Sequence, residues 1–272
     1  MYKKIQNILN KTKKENPKIA TVINYCTNDY QFIQYCVNSV KTFSSEIAIV
    51  AADHFFDGSK ENEGFIQKTK EATKGVNFIY YSWIDNGSHP RFWCNYSRWL
   101  GLCSIKDDVD FVFFLDADEV VGPNFYDQIK SQTQFKFDAC SFRTYWYFRN
   151  PQYRARRWET QPILARKSKL TKKSVFGDGE RWSIIDAIPK SKRVKNFVDL
   201  DGKPMIHHYS WVRTKEQMLR KVESWSHKFD RDWVSLVNEE FSRDFNGTDF
   251  VHHYEYDILT EEESLLKEFK FI

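Results

Sequence analysis

Five consecutive apolar residues, Phe111-Val112-Phe113-Phe114-Leu115, run directly into Asp116-Ala117-Asp118-Glu119, where three of four residues are acids. An apolar run without polar alternation suits a strand covered on both faces, and such strands belong to parallel sheets flanked by helices. The carboxylates then fall at the C-terminal end of a central strand, the edge at which ligands bind in open α/β sheets. This one segment predicts an α/β fold with an acidic site at a sheet edge.

The residues upstream keep the same rhythm of strand and crossover helix. Residues 19–25 read as a first strand. Asn28 or Asp29 can cap a helix whose apolar positions Phe32, Ile33, Cys36, Val37 and Val40 recur at three- and four-residue spacing. A second strand at 47–52, a turn at Asp57-Gly58-Ser59, a polar helix over 60–74 and a third strand at 77–81 follow. Over 91–104, Phe92, Tyr96, Trp99, Leu100 and Cys103 share one helical face, leaving Arg91, Asn95 and Arg98 on another face free to meet a ligand.

After residue 135 the pattern changes to aromatic strands, 139–148 and 161–166, expected to pair as a mixed sheet. Helices are expected from Thr214 to the end. Thr214 and Gln217 fit a capping box, and Met218, Leu219, Val222, Trp225 and Phe229 form its expected buried stripe. No Pro/Gly/Ser-rich linker divides the chain, so one domain over 1–272 is predicted. With 41% apolar and 17% aromatic residues, the material for its core is ample.

No apolar run approaches the roughly 20 residues that span a bilayer, and the lysine-rich start, 1–18, has no apolar segment behind it. The expected location is the cytoplasm, free or peripheral to a membrane. Cys26, Cys36, Cys94, Cys103 and Cys140 form an odd set without a Cys-x-x-Cys pair, which argues against a disulfide framework or zinc knuckle and predicts buried thiols.

Two aspartates one residue apart at a turning strand end can both reach one divalent cation through hard oxygens. An ion so placed stabilises the charge that grows on a leaving diphosphate. The segment Phe113-Phe114-Leu115-Asp116-Ala117-Asp118-Glu119 resembles the metal-binding Asp-x-Asp motif of GT-A-fold glycosyltransferases, family 2-like enzymes in particular. Thr21-Val22-Ile23-Asn24-Tyr25 with Asn28 and Asp29 is similar to that family's first strand and nucleotide loop. Ile49-Val50-Ala51-Ala52-Asp53 looks like its second strand, where an aspartate contacts the base, although Phe55-Phe56 replaces the usual short polar turn. Asn95 to Arg98 resembles the helix lying over the diphosphate. The resemblance runs in order over roughly residues 19–230.

The resemblance implies a GT-A, Rossmann-like nucleotide-sugar-binding fold with a mixed central sheet and C-terminal helices. Residues 19–120 would bind the nucleotide sugar, 121–213 would form the acceptor side, and 214–272 a helical extension. The donor, a UDP- or GDP-sugar, would meet Asn24, Asn28, Asp53, Arg98, Asp116 and Lys221. Asp116 and Asp118 would hold the metal. Segments similar to His207-His208-Tyr209-Ser210-Trp211 supply a late imidazole in related enzymes. Adjacent strand residues face opposite ways, so one histidine is expected as the third ligand, and the pattern favours His208. An imidazole ligand favours manganese over magnesium. His252 and His253 are expected to face solvent.

Inverting transfer also needs a general base for the acceptor hydroxyl. Phe176-Gly177-Asp178-Gly179-Glu180 loosely resembles the family loop ending in that base, which assigns Glu180 first, Asp178 second and Asp186 in reserve.

Residues 143–195 carry 15 Lys or Arg against Glu159, Asp178, Glu180 and Asp186, a local balance of +11 in a chain of net charge +4. Within it, Arg143-Thr144-Tyr145-Trp146-Tyr147-Phe148-Arg149, Tyr153, Arg154, Arg156, Arg157 and Trp158 interleave aromatics with arginines. Such a surface can stack on sugar rings, or on bases while gripping phosphates. The leading expectation is therefore a metal-dependent, inverting glycosyltransferase acting on a hydroxyl of a glycan, lipid-linked or other anionic acceptor. A variant acts on hydroxyl-modified bases of viral or phage DNA. The competing classes are a non-catalytic nucleic-acid-binding protein and a nucleotidyltransferase. The absence of a Gly-x-x-x-x-Gly-Lys loop counts against the latter.

Overall fold

A computed structural model describes residues 16–225, 227–267 and 269–271. Most of the lysine-rich start, 1–15, lies outside the described residues. The first half of the chain lays down β1 (Ile19–Asn24), α1 (Tyr30–Val40), β2 (Ser44–Ala52), α2 (Glu63–Ala72), β3 (Asn77–Tyr81), α3 (Pro90–Ser104) and β4 (Phe111–Asp116). The second half adds β5 (Glu119–Val121), α4 (Phe125–Thr133), β6 (Ala139–Phe148), β7 (Asn150–Arg166), α5 (Lys172–Val175), α6 (Arg181–Asp186), β8 (Arg193–Phe197), β9 (Ile206–Trp211), α7 (Lys215–Ser224), α8 (Trp233–Glu240) and β10 (Tyr256–Ile258).

All ten strands join one sheet, ordered β3-β2-β1-β4-β7-β6-β9-β5, with β10 against β7 and β8 against β6. The first four are parallel, and β7 then pairs antiparallel with β4. The chain thus has the mixed-sheet, Rossmann-like α/β organisation expected of its sequence. Alternate residues of each central strand serve opposite layers. Ile19, Ile23, Phe113 and Leu115 face α1 and α4, with Ile33, Val37, Phe125 and Phe142 in the same cluster. Ala20, Val22, Val112 and Phe114 face the other side, where Leu102, Ile184 and Ile185 pack. Fully burying a side chain the size of Phe113 contributes roughly 1.5–3 kcal/mol.

α3 lies against the sheet at Gly101, where an added Cβ would stand 2.3 Å from Val22 Cγ1. A helix interior tolerates glycine at a cost of about 1 kcal/mol, which here permits close approach of helix and strand. The face of α3 that carries Asn95 and Arg98 is accordingly buried, at 4% and 2% exposure, while Phe92, Tyr96, Trp99 and Leu100 are half-buried and Cys103 is exposed. Buried as it is, that face still brings Arg98 to the edge of the cleft described below, and Arg91 is half-buried. Cys103 is an exception to the expected burial of the thiols, and Cys26 is half-buried.

The capping box at Thr214 and Gln217 forms, but α7 stops at Ser224, and Phe229 is 79% exposed instead of closing the stripe. After α8 the described residues form turns and β10, so the expected helix to the C-terminus gives way to a strand. The aromatic and arginine-rich segment is the β6–β7 hairpin, with Trp146, Tyr147 and Phe148 buried. Several of its cations are engaged: Arg149 with Glu240 at 3.3 Å, Arg156 with Asp257 at 2.8 Å, and Arg154 over the Tyr145 ring. No helix among the described residues is long and apolar enough to cross a membrane.

Candidate functional site

Strand register decides which side chains meet. Asn24 and Asp116 are neighbours across β1 and β4, Glu119 lies opposite His208 across β5 and β9, and Trp146 is beside His208 across β6 and β9. These pairs bring Asn24, Asp116, Trp146 and His208 to a cleft of about 480 Å³ at the C-terminal ends of the parallel strands. Asn28, Arg98, Asp118, Glu180, Arg181 and Lys221 also line it. Its volume lies within the usual range for small-molecule sites.

Asp116 ends β4 with both carboxylate oxygens occupied. Arg98 Nη2 is 3.0 Å from Oδ1, Arg181 Nη2 is 3.1 Å from Oδ2, and Asn24 Nδ2 donates to Oδ1 at 3.3 Å. Burial alone would raise its pKa, yet the charges of Arg181 and Arg98 hold it below the ordinary value. The chain turns through Ala117, whose N–H bonds to the Asn24 carbonyl at 3.1 Å, and Asp118 is delivered to the cleft with its own carbonyl taken by the Tyr209 N–H.

Asp118 is 3% exposed. Its Oδ1 lies 3.3 Å from His208 Nε2, while Lys221 Nζ is 3.7 Å and Arg213 Nη2 3.9 Å from Oδ2. Burial opposes ionisation, but His208, Lys221 and Arg213 hold the Asp118 carboxyl well below its usual range. For His208, burial works the other way from Asp118, and the carboxylate wins and raises the imidazole. The contact between them lacks hydrogen-bond alignment, and both Asp118 Oδ1 and His208 Nδ1 have no hydrogen-bond partner among the described residues.

That convergence bears on metal binding. Two ligands of one small divalent cation, each about 2.1 Å from it, stand about 3 Å apart. Asp118 and His208 fit such a pair. Asp116 faces two buried guanidiniums, and the described residues contain no cluster of three or more His, Cys, Asp or Glu able to hold an ion. His207 points to the other face of β9, where Tyr147 Oη meets its Nδ1 at 2.7 Å and burial pushes its pKa down to about 3.

Glu180 reaches the cleft from the residue before α6, with Arg91 Nε at 3.4 Å and Arg98 Nη1 at 4.0 Å. Asp178 is exposed and absent from the lining, and Asp186 pairs with Arg193 at 2.8 Å and Lys195 at 2.9 Å away from it. Asp53 also stays outside the lining. His54 Nδ1 and the Trp83 N–H occupy its Oδ1 at 2.6 and 2.7 Å, and Phe55 and Phe56 line the cleft in its stead. Asn28 donates to Ser224 Oγ at 2.9 Å, and its amide oxygen and that of Asn24 are without partners among the described residues. His252 and His253 are exposed, though His252 sits at the cleft margin edge-on to Trp146.

No residue pattern assigns a role to Arg213, Glu119 or Arg181. Arg213 is 1% exposed and bonds the Asn28 carbonyl and the Asp29 carboxylate, which explains why Asp29, at the N-cap position of α1, makes no side-chain cap. A signal existed for Arg181. It is a cation at a helix N-terminus, where the helix dipole disfavours it, directly before the mostly apolar Trp182-Ser183-Ile184-Ile185.

No family model matches the chain, and none of the curated proteins matches it. Among solved structures it is similar to the inositol-1-phosphate CTP transferase from T. maritima, at 10% identity over 83% of this chain and 98% of that one, TM-score 0.45. It is also similar to S. aureus TarS 1-349 in complex with UDP, at 13% identity over 84% and 72%, TM-score 0.44. The glycosyltransferase GlyE of Streptococcus pneumoniae TIGR4 shows 16% identity over 84% and 64%, TM-score 0.41. Likeness of this degree assigns neither substrate nor reaction.

Proposed function

We propose that this chain is a metal-dependent, inverting glycosyltransferase that moves a sugar from a nucleotide-diphosphate donor to a hydroxyl acceptor. The observation that carries the reading is the convergence of Asp118 and His208 at 3.3 Å in a cleft that also presents Glu180. Asp118 and His208 would hold the divalent cation, with the donor's phosphates completing its shell, as is usual for ions bound by few protein ligands. When bound, that ion supplies positive charge to the departing diphosphate.

The remaining steps belong to the chain's own side chains. Lys221, 11% exposed at the side chain and 3.7 Å from Asp118, is within reach of the same phosphates. The unpaired amide oxygens of Asn24 and Asn28 are acceptors for donor N–H or O–H groups. Glu180 accepts the proton of the acceptor hydroxyl as its oxygen bonds to the anomeric carbon. The bond from that carbon to the diphosphate breaks, and its electron pair leaves with the diphosphate. Attack from the side opposite the leaving group inverts the anomeric centre. Because several β6–β7 arginines are engaged by acids and aromatic rings, a glycan or lipid-linked hydroxyl is the acceptor favoured over DNA.

Thermal unfolding with a panel of UDP- and GDP-sugars, with and without manganese, tests the reading. Manganese-dependent stabilisation by one nucleotide sugar, lost in Asp118→Ala, is expected. Release of pyrophosphate from a nucleoside triphosphate and a sugar phosphate, without turnover of any nucleotide sugar, would replace it with nucleotidyl transfer.

A further inference from the structure

Arg181 is 3% exposed, and the four N–H groups of its two terminal nitrogens are all spoken for. Nη1 donates to Glu119 Oε2 at 2.6 Å and the Phe114 carbonyl at 3.4 Å. Nη2 donates to Glu119 Oε1 at 2.8 Å and Gln161 Oε1 at 3.2 Å, with Asp116 Oδ2 at 3.1 Å. Glu119 is itself 0% exposed, and its Oε2 also accepts the Asp116 N–H at 2.8 Å. Although Arg181 borders the cleft, its terminal nitrogens have no spare donor for a ligand.

The residue immediately before it shows what this anchoring does. Glu180 has φ 51° and ψ −128°, a backbone conformation that favours glycine, while its carboxylate faces Arg91 and Arg98 across the cleft. A non-glycine residue stays in such a conformation only where its surroundings over-determine it. On one side the Gly179 N–H is held by Ser183 Oγ at 2.9 Å, and on the other stands the buried Arg181 fork.

We propose that the Glu119–Arg181 ion pair is the positioning device for the Glu180 carboxylate: by fixing the backbone where α6 begins, it turns Glu180 into the cleft beside the strand-end aspartates. Arg181 is then a positioning residue and not a catalytic one. The proposal rests on Glu180 acting as the base of the proposed transfer.

A double-mutant cycle tests it, read as manganese-dependent hydrolysis of the stabilising UDP- or GDP-sugar by wild type, Arg181→Lys, Glu180→Gln and the double variant. Arg181→Lys keeps the charge but loses the bidentate fork. It is expected to lower kcat about 10- to 100-fold, the scale of a misplaced reacting group, with donor KM little changed. The double variant is expected to be no slower than Glu180→Gln alone, because both changes act through one carboxylate. Losses that multiply in the double variant would overturn the positioning role while leaving the transferase reading intact. A Glu180→Gln variant with wild-type kcat would remove the base, and the positioning role with it. Should Arg181→Lys not fold, Glu119→Gln is expected to give the same kcat-selective loss, and a rise in KM alone would overturn the proposal.

Discussion

Arg98 Nη2 lies 3.0 Å from Asp116 Oδ1, and the guanidinium side chain that makes this contact is 3% exposed. A buried cation so placed depends on its anion, and with Arg181 on the other oxygen Asp116 is the shared counter-ion of two guanidiniums. The two aspartates of the strand-end motif therefore have different work.

Asp116→Asn is expected to destabilise the unliganded protein by about 3–5 kcal/mol, the scale on which a broken buried ion pair strands its partner. Asp118→Asn leaves buried Arg213 with its Asp29 partner, and is expected to spare more stability and to abolish manganese-dependent stabilisation by nucleotide sugars. Urea unfolding of both variants, each with and without manganese and donor, separates the two. Equal loss of stability with retained metal response in Asp118→Asn would contradict the assignment.

Glu180→Gly is expected to relieve the left-handed backbone strain, worth about 1–3 kcal/mol, against the loss of the half-exposed pairing to Arg91 and the longer contact, 4.0 Å, to buried Arg98. The unfolding midpoint should stay level or rise while the transfer rate falls about 10²- to 10⁴-fold, the range for a lost general base. A variant that is both less stable and fully active would count against the strain and the role together.

Gly101→Ala would put a methyl group 2.3 Å from Val22 Cγ1. Overpacking of this kind costs about 1–3 kcal/mol, more than the roughly 1 kcal/mol that alanine adds to helix propensity. The expected net effect is a lower denaturation midpoint, restored in part when Val22→Ala is added. A stabilised Gly101→Ala single variant would show that α3 does not sit as close to β1 as described.

Glu61 carries a pH dependence that can be isolated. Its carboxylate is 6% exposed, accepts the Thr27 N–H at 3.1 Å and bonds the Thr27 hydroxyl. Burial, only partly offset by those bonds, raises its pKa from 4.5 to about 7. A carboxyl raised on folding binds its proton more tightly in the native state. Its stability contribution is therefore fully present below pH 4.5 and is lost as pH rises through 7. The difference in unfolding free energy between wild type and Glu61→Gln should change by up to about 3 kcal/mol across that window, in the direction that favours wild type at low pH. A difference flat with pH would mean that Glu61 ionises freely in the fold.

The parts of this architecture visible in the sequence are those set by short-range pattern. The run Phe111 to Leu115 marked β4 because both of its faces are buried, and 139–148 gave β6 with its observed bounds. Thr214 and Gln217 announced the start of α7 because a capping box is complete within four residues. The end of that helix was not visible, since Trp225 packs into a cluster with Trp211 and Trp233 that exists only once β9 and α8 are in place. The site divides along the same line. Asp118, His208 and Glu180, which the structure brings to one cleft, could be named from local motifs, but that Asp53 stays outside its lining shows only once Trp83 and His54 are seen to hold its Oδ1. Arg213 reaches Asp29 across 184 positions of sequence, a distance over which no residue pattern speaks.

The pairing of Asp116, Asp118 and Glu180 with cations has a consequence for the order of events. Before any ligand arrives, the cleft is already its own salt: Asp118 leans on Lys221 and Arg213, Asp116 on Arg98 and Arg181, Glu180 on Arg91. On the proposed reading, a metal ion at Asp118 Oδ1 and His208 would weaken the hold of the carboxylate on Lys221 at Oδ2, and a diphosphate alone would have to draw Lys221 away from that carboxylate. On the same reading, the two arriving together would trade partners, ion to Asp118 and phosphate to Lys221, and each guest would lower the cost of admitting the other.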